Sequence, residues 1–235
     1  FVLTNAPIAM RMGAIKELAE ECNTIVIPAD ATVIEDIEKL YAEAKEFLGS
    51  DFDFLLHSIG MSPNIRKGRS YGDLNYEWAM KSYDVSAISF HKMMQVAEKM
   101  DIMKEWGSIL GLSYIAAQRV YPFYTDMADA KALLESIARG YGYRFGKLKK
   151  VRVNTISQSP TKTTAGTGIG GFDSFFNFAE ALSPLGNASA DACADYIVTM
   201  FSDLTRMVTM QNLFHDGGYS FTGISEDIME KFKDL

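Results

Sequence analysis

Ser113-Tyr-Ile-Ala-Ala-Gln-Arg-Val-Tyr-Pro-Phe-Tyr124-Thr-Asp-Met127-Ala-Asp-Ala-Lys131 is the stretch on which the reading of this chain turns. Just before it, Ser108-Ile-Leu-Gly-Leu-Ser113 is an apolar run with the character of a buried parallel strand. From Pro122 to about Phe145 the spacing of apolar residues is helical. Residues seven apart on an α-helix differ by about two turns and roughly 10 Å of rise, so Tyr124 and Lys131 are expected on one face. Tyr114 precedes that helix at the strand tip, and a strand tip feeding a helix is where open α/β sheets place their sites. Two tyrosines and a lysine would then meet one substrate. Taken singly, they read equally as two core tyrosines and a solvated lysine.

Working outward, the chain alternates strands and helices. Strands are predicted over residues 1–4, 24–28, 52–57, 108–113, 151–156 and 211–215, and helices over 10–21, 33–48, 80–103, 172–182 and 189–202. This alternation is the signature of an α/β, Rossmann-like doubly wound parallel sheet. With 235 residues, 48% of them hydrophobic, one domain spanning 1–235 is the economical reading. Residues 61–76 read as a polar loop, and 157–171 are the most loop-like part of the chain. Gly166-Thr-Gly168-Ile-Gly-Gly171 satisfies G-x-G-x-x-G literally. The fingerprint requires a strand running straight into the turn, and here the strand ends about ten residues earlier. We therefore read the segment as a lid. In the helix behind it, Phe172, Phe175, Phe176 and Phe178 cannot all share one face, so some must meet a ligand, a loop or another subunit.

The net charge of −7 argues against a nucleic-acid-binding surface. Cys22 and Cys193 match no metal or redox spacing, which fits a reduced, cytoplasmic chain. No run approaches the ~20 apolar residues of a membrane span. His57, His91 and His215 are dispersed, so no metal site is expected.

Several of these segments resemble, in order, the enoyl-acyl-carrier-protein reductases, a divergent branch of the short-chain dehydrogenase/reductases. Tyr124-x6-Lys131 with Tyr114 ten residues upstream is similar to that family's catalytic set; the ordinary superfamily dyad is Tyr-x3-Lys, and Met127 stands where its tyrosine would be. Ala29-Asp30-Ala31, His57-Ser58-Ile59-Gly60, residues 152–160 and Asp216-Gly217-Gly218 look like further family segments. The resemblance implies catalysis by Tyr114, Tyr124 and Lys131. It implies a cofactor site of Asp30, Ala31, Ser58, Ile59, Gly60, Ser113, Lys131, Pro160, Thr161 and Thr163. Tyr114, Tyr124, Met127, Phe172, Phe175 and Phe176 would meet the substrate, under a lid of about 157–182. Gln158-Ser159-Pro160 stands where the family commonly has Ala-Gly-Pro.

The implied reaction is hydride transfer from NADH to a trans-2-enoyl thioester on acyl carrier protein in fatty acid biosynthesis, by a homotetramer. NADPH stays open, because no acidic residue closes the 1–4 strand and Arg11 lies near enough in sequence to meet a 2′-phosphate. An acidic carrier could dock on Arg144, Lys147, Lys149, Lys150 and Arg152, a cluster that also reads as a solvated helix end. If 1–4 is the family's second strand, a first strand–turn–helix unit with the phosphate loop is missing from this chain. The alternatives are an ordinary short-chain alcohol or ketone dehydrogenase, against which Met127 counts, and a non-catalytic oligomeric scaffold of the same fold.

Overall fold

In the computed structural model, residues 1–162 and 171–233 are described. Four parallel strands form the main sheet in the order β3-β4-β5-β6: β3 is Phe52–His57, β4 Met103–Ser113, β5 Arg152–Gln158 and β6 Asn212–His215. A separate parallel pair joins β1, Leu3–Asn5, to β2, Val26–Pro28. Ile27 and Ala29 nevertheless belong to the same hydrophobic core as β3 and β4.

Strand alternation decides which helix covers which face. On β4 and β5, Ile109 and Val153 join the core formed with α2 (Ile34–Leu48), α5 (Ser89–Lys99) and α6 (Thr125–Lys149). Their neighbours Leu110 and Ile156 pack on the other face against Met200 of α8, Ala190–Phe201. The segments read as strands and helices are present, with shifts at their ends. The first predicted helix is split at Gly13 (φ 78°) into a 3-10 turn, Pro7–Met12, and α1, Ala14–Glu21. The predicted 61–76 loop contains α3, Pro63–Arg66, capped by the Ser62 side chain and started by Pro63. The 80–103 helix begins earlier as α4, Tyr76–Tyr83, continues through a π-helical stretch, Asp84–Ile88, and ends with α5 at Lys99. Asp101 at φ 51° turns the chain so that Met103 starts β4. Beyond α7, Phe172–Leu182, and α8, a terminal α9, Glu226–Phe232, was not read from the sequence.

The helix carrying the lysine starts three residues later than expected. Tyr124 is its N-cap residue (φ −91°, ψ 0°), and Thr125 follows at φ 27°. The backbone N–H of Tyr124 donates to Tyr121 O at 2.9 Å, closing a turn around Pro122 instead of a helical first turn.

Glycine lets α6 lie close to the sheet at one place. A Cβ on Gly142 would stand 2.5 Å from Met210 Cγ and 3.4 Å from Val153 O. Gly142→Ala, which raises helix propensity by about 1 kcal/mol at an open site, should here lower stability by about 1–3 kcal/mol. Urea unfolding of the two proteins checks the sign.

Candidate active site

A cavity of about 500 Å³ opens where β3, β4 and β5 end. After β3 the chain contributes Ser58, Ile59, Gly60, Met61 and Ser62; after β5 it contributes Ser159, Pro160 and Thr161. Ser113, Tyr114, Tyr124, Met127 and Lys131 come from the β4–α6 unit, and Phe172 and Phe175 from α7.

Lys131 is buried, and its ammonium donates to the Leu112 carbonyl at the end of β4 at 2.6 Å. Burial pushes its pKa down to about 8, with Glu135 one turn on working the other way. That glutamate, itself buried, accepts from the Ser113 hydroxyl at 2.7 Å and the Gln118 amide at 3.1 Å. The Ser113 hydrogen is thereby turned away from the cavity. A Cβ on Gly60 would stand 2.9 Å from Met127 Cε and 3.8 Å from Lys131 Nζ, so bare backbone at this position keeps the approach to the lysine open.

The ring centroids of Tyr114 and Tyr124 are 5.1 Å apart, and Tyr114 is also 5.5 Å from Tyr121. Burial raises all three phenols, Tyr124 to about 12 and the other two further, with Tyr121 and Tyr219 adding to the rise at Tyr114. They are therefore un-ionised donors at neutral pH. The buried hydroxyl of Tyr114 stands near that of Tyr121 and makes no hydrogen bond of regular geometry among the described residues, so it can donate to a bound acceptor. Phe175 meets Tyr114 and Tyr121 edge-on at 6.0 and 5.7 Å.

Not every expected residue lines the cavity. Asp30 and Ala31 lie after β2, where the Asp30 carboxylate accepts from the backbone N–H and hydroxyl of Thr32, at 2.9 and 2.7 Å, which lowers its pKa. Phe176 turns away from the cavity, its ring against Phe172 and under the Lys162 ammonium at 4.7 Å. Thr163 and the Gly166–Gly170 part of the glycine-rich segment lie outside the described residues. Tyr121, Ile65, Arg66 and Cys193 also line the cavity. Of these, only Tyr121 carried a signal, as the third tyrosine of the Tyr114–Tyr124 stretch.

In the 144–152 basic cluster Lys147 and Lys150 are exposed, and the other three cations are engaged by the chain itself. Arg152 is buried and donates to the carbonyl of Met200 at 2.9 Å, Lys149 donates to Met103 O at 3.0 Å and pairs with Asp101, and Arg144 pairs with Glu98. These cations are engaged by their own chain because a strand start and a helix end pack together there.

A family model described as enoyl-(acyl carrier protein) reductase matches residues 1–220. The NADH-type enoyl-[acyl-carrier-protein] reductase FabI of Rickettsia bellii is 39% identical over 213 residues, 89% of this chain and 79% of that one. The Bacillus subtilis FabI is 30% identical over 201 residues, 85% of this chain and 76% of its own. Among solved structures, a FabI–NADH complex from Alistipes finegoldii superposes with a TM-score of 0.95 at 62% identity, covering 97% of this chain and 81% of that one. The Aquifex aeolicus NADH-type reductase gives 0.85 at 30% identity over 94% of this chain and 86% of its own.

Lys131 offers a test that needs no activity assay. Its folded pKa of about 8 lies below the ordinary lysine value of 10.5, so between these values the unfolded chain binds more protons. Stability from this group therefore rises with pH across that window, by about 1–3 kcal/mol. Urea unfolding at pH 7.5 and 9.5 should show wild type gaining on Lys131→Met by that amount.

Proposed function

The chain belongs to the enoyl-(acyl carrier protein) reductase family, and we propose that it works through Tyr124, Tyr114 and Lys131. Its reaction is the NADH-dependent reduction of an enoyl group carried on acyl carrier protein, a step of fatty acid biosynthesis. The assignment of roles rests on one observation: these three side chains line a single cavity with Ser58–Gly60 on one side and Pro160–Thr161 on another.

The cavity residues suit a nicotinamide dinucleotide. Lys131 uses one of its three donors on Leu112, leaving two for ribose hydroxyls, and glycine at 60 leaves the space beside it clear. When bound, NADH supplies the hydride that goes to the β-carbon of the trans-2-enoyl thioester. Negative charge then grows on the thioester oxygen as an enolate. The Tyr124 hydroxyl donates to that oxygen, and the Tyr114 hydroxyl forms a second polar wall. Both donate as neutral phenols, so the ground state carries no buried phenolate to desolvate. The ammonium of Lys131 favours phenolate character in Tyr124 and holds the cofactor. Asp30 and Ala31 serve the adenine end, outside the cavity that holds the reacting groups.

Met127, Phe172 and Phe175 form the apolar wall for the acyl chain, and 157–182, with Thr163 among its cofactor contacts, covers the bound substrate. Its first two residues belong to β5 and so supply a rigid hinge side. A single domain of 1–235 assembling as a cytoplasmic homotetramer fits the exposed apolar residues Tyr76, Met80, Tyr143 and Leu148 on α4 and α6. No helix among the described residues is long and apolar enough to cross a membrane.

Tyr124→Phe deletes one oxygen and should lower turnover on a short enoyl thioester by about 10²-fold or more, with NADH affinity little changed. Lys131→Ala should instead weaken NADH. Met127→Tyr, which recreates the ordinary dyad spacing, should fail to rescue Tyr124→Phe. Steady-state kinetics by cofactor absorbance decides all three, and unchanged turnover of Tyr124→Phe would overturn the role given to that hydroxyl. Light scattering after gel filtration should give four chains per particle.

A further inference from the structure

At the start of α6 lies a carboxylate with no exposed surface, four donors on it and no ion-pair partner among the described residues. Asp126 Oδ1 accepts from the Ser62 hydroxyl at 2.7 Å and the Thr125 hydroxyl at 3.0 Å. Its Oδ2 accepts from the Asn64 amide at 3.0 Å and lies 2.7 Å from the Ser82 hydroxyl, whose one hydrogen it shares with the Trp78 carbonyl at 2.9 Å. An ionised carboxylate offers about four lone-pair sites, and here each faces a donor group. Burying such a charge alone is strongly unfavourable, so this arrangement persists only because donors and the positive end of α6 surround it.

The donors come from different parts of the molecule. Ser62 caps α3 and lines the cavity with Met61, Ile65 and Arg66; Ser82 belongs to α4; Thr125 is bonded to the cap residue Tyr124. A β-branched residue at φ 27°, as Thr125 is, is strained and is kept only where neighbours over-determine it. Asn64 extends the clasp, accepting from the backbone N–H of Asn75 at 3.0 Å and donating to its carbonyl at 3.1 Å.

We propose that Asp126 is a positioning residue for the reduction: it clasps the 61–66 wall of the cavity to the first turn of α6 and thereby fixes the reach of the Tyr124 hydroxyl across the cavity. The proposal rests on the reading of Tyr124 as the enolate donor. It assigns Asp126 no contact with substrate or cofactor. Its effect is geometric: Tyr124 is the cap residue of α6, its N–H bonded to Tyr121 O and its carbonyl accepting from Met127 and Ala128, so its side chain goes where the clasp fixes the start of that helix.

Asp126→Asn keeps the shape, but its single acceptor oxygen serves two donors and its NH2 must face hydroxyls that turn to accept. The fold should survive with a relaxed clasp. Turnover on a short enoyl thioester should fall roughly 10-fold or more in the wild-type background, since small misplacements of a reacting group are costly. In the Tyr124→Phe background the same change should cost little further. Melting temperature and NADH binding by fluorescence are followed in parallel. Ser82→Ala, which removes one donor from the far side, should give the same non-additive pattern at smaller size and serves if Asp126→Asn does not fold. Equal losses in both backgrounds would show a general structural effect and overturn the proposal, as would full turnover of both Asp126→Asn and Ser82→Ala. Full turnover of Tyr124→Phe alone removes the donor assignment and this proposal with it, and is recognised without any change at Asp126.

Discussion

The bond from the buried Lys131 ammonium to the Leu112 carbonyl is the contact on which the rest of the site depends. It ties the second turn of α6 to the end of the central strand, and from there Leu134, Ala138, Tyr141 and Phe145 carry the same helix face across the core. An ammonium at that depth is held against a desolvation penalty, which is why its pKa falls. Glu135 supplies the compensating charge and is itself satisfied by Ser113 and Gln118. A strand end, a helix and a polar trio are thus locked together before any substrate arrives, which is the preorganisation that an electrostatic site needs.

Around that cation the cavity is built from phenols, not from carboxylates. Tyr114, Tyr121 and Tyr124 give donors that stay neutral at working pH, and their rings give the cavity apolar area at the same time. At the α6–β5 corner Arg144 and Lys149 pair with Glu98 and Asp101, and Arg152 donates to a backbone carbonyl. His57, at the end of β3, follows the same logic: burial and the nearby Lys131 push its pKa down to about 3, so it stays neutral and holds Ser89 at 2.7 Å. The site therefore contains a single buried cation balanced by Glu135, and a buried anion, Asp126, that is satisfied without any cation.

The loop between β4 and α6 shows how local rules and tertiary demand divide. Pro122 and the aromatic residues around it favour a turn, and the helix waits until Thr125. Tyr124 is presented from a cap instead of a helix face, so it and Lys131 meet the same cavity by a route that simple helical geometry did not foresee. The Tyr-x6-Lys spacing is still diagnostic, because what matters is the cavity both side chains enter.

The sequence by itself determined the α/β class, the order of the strands and most of the helices, because apolar periodicity records which faces are buried. It also picked out Tyr114, Tyr124 and Lys131, which lie close in the chain, have a spacing that resembles one family, and line one cavity. Most implied cavity residues, from Ser58 to Phe175, follow for the same reason. Only the tertiary structure decided what depends on distant partners. Phe176 turns out of the cavity because one helix face cannot hold every phenylalanine. Arg144 and Lys149 of the basic cluster are engaged by residues some 46 positions away. Tyr121 enters the cavity through ring contacts with Tyr219. Asp126 in a sequence is an ordinary first-turn acid; that Ser62, Asn64 and Ser82 converge on it is a fact of three-dimensional packing, which no periodicity in the chain encodes.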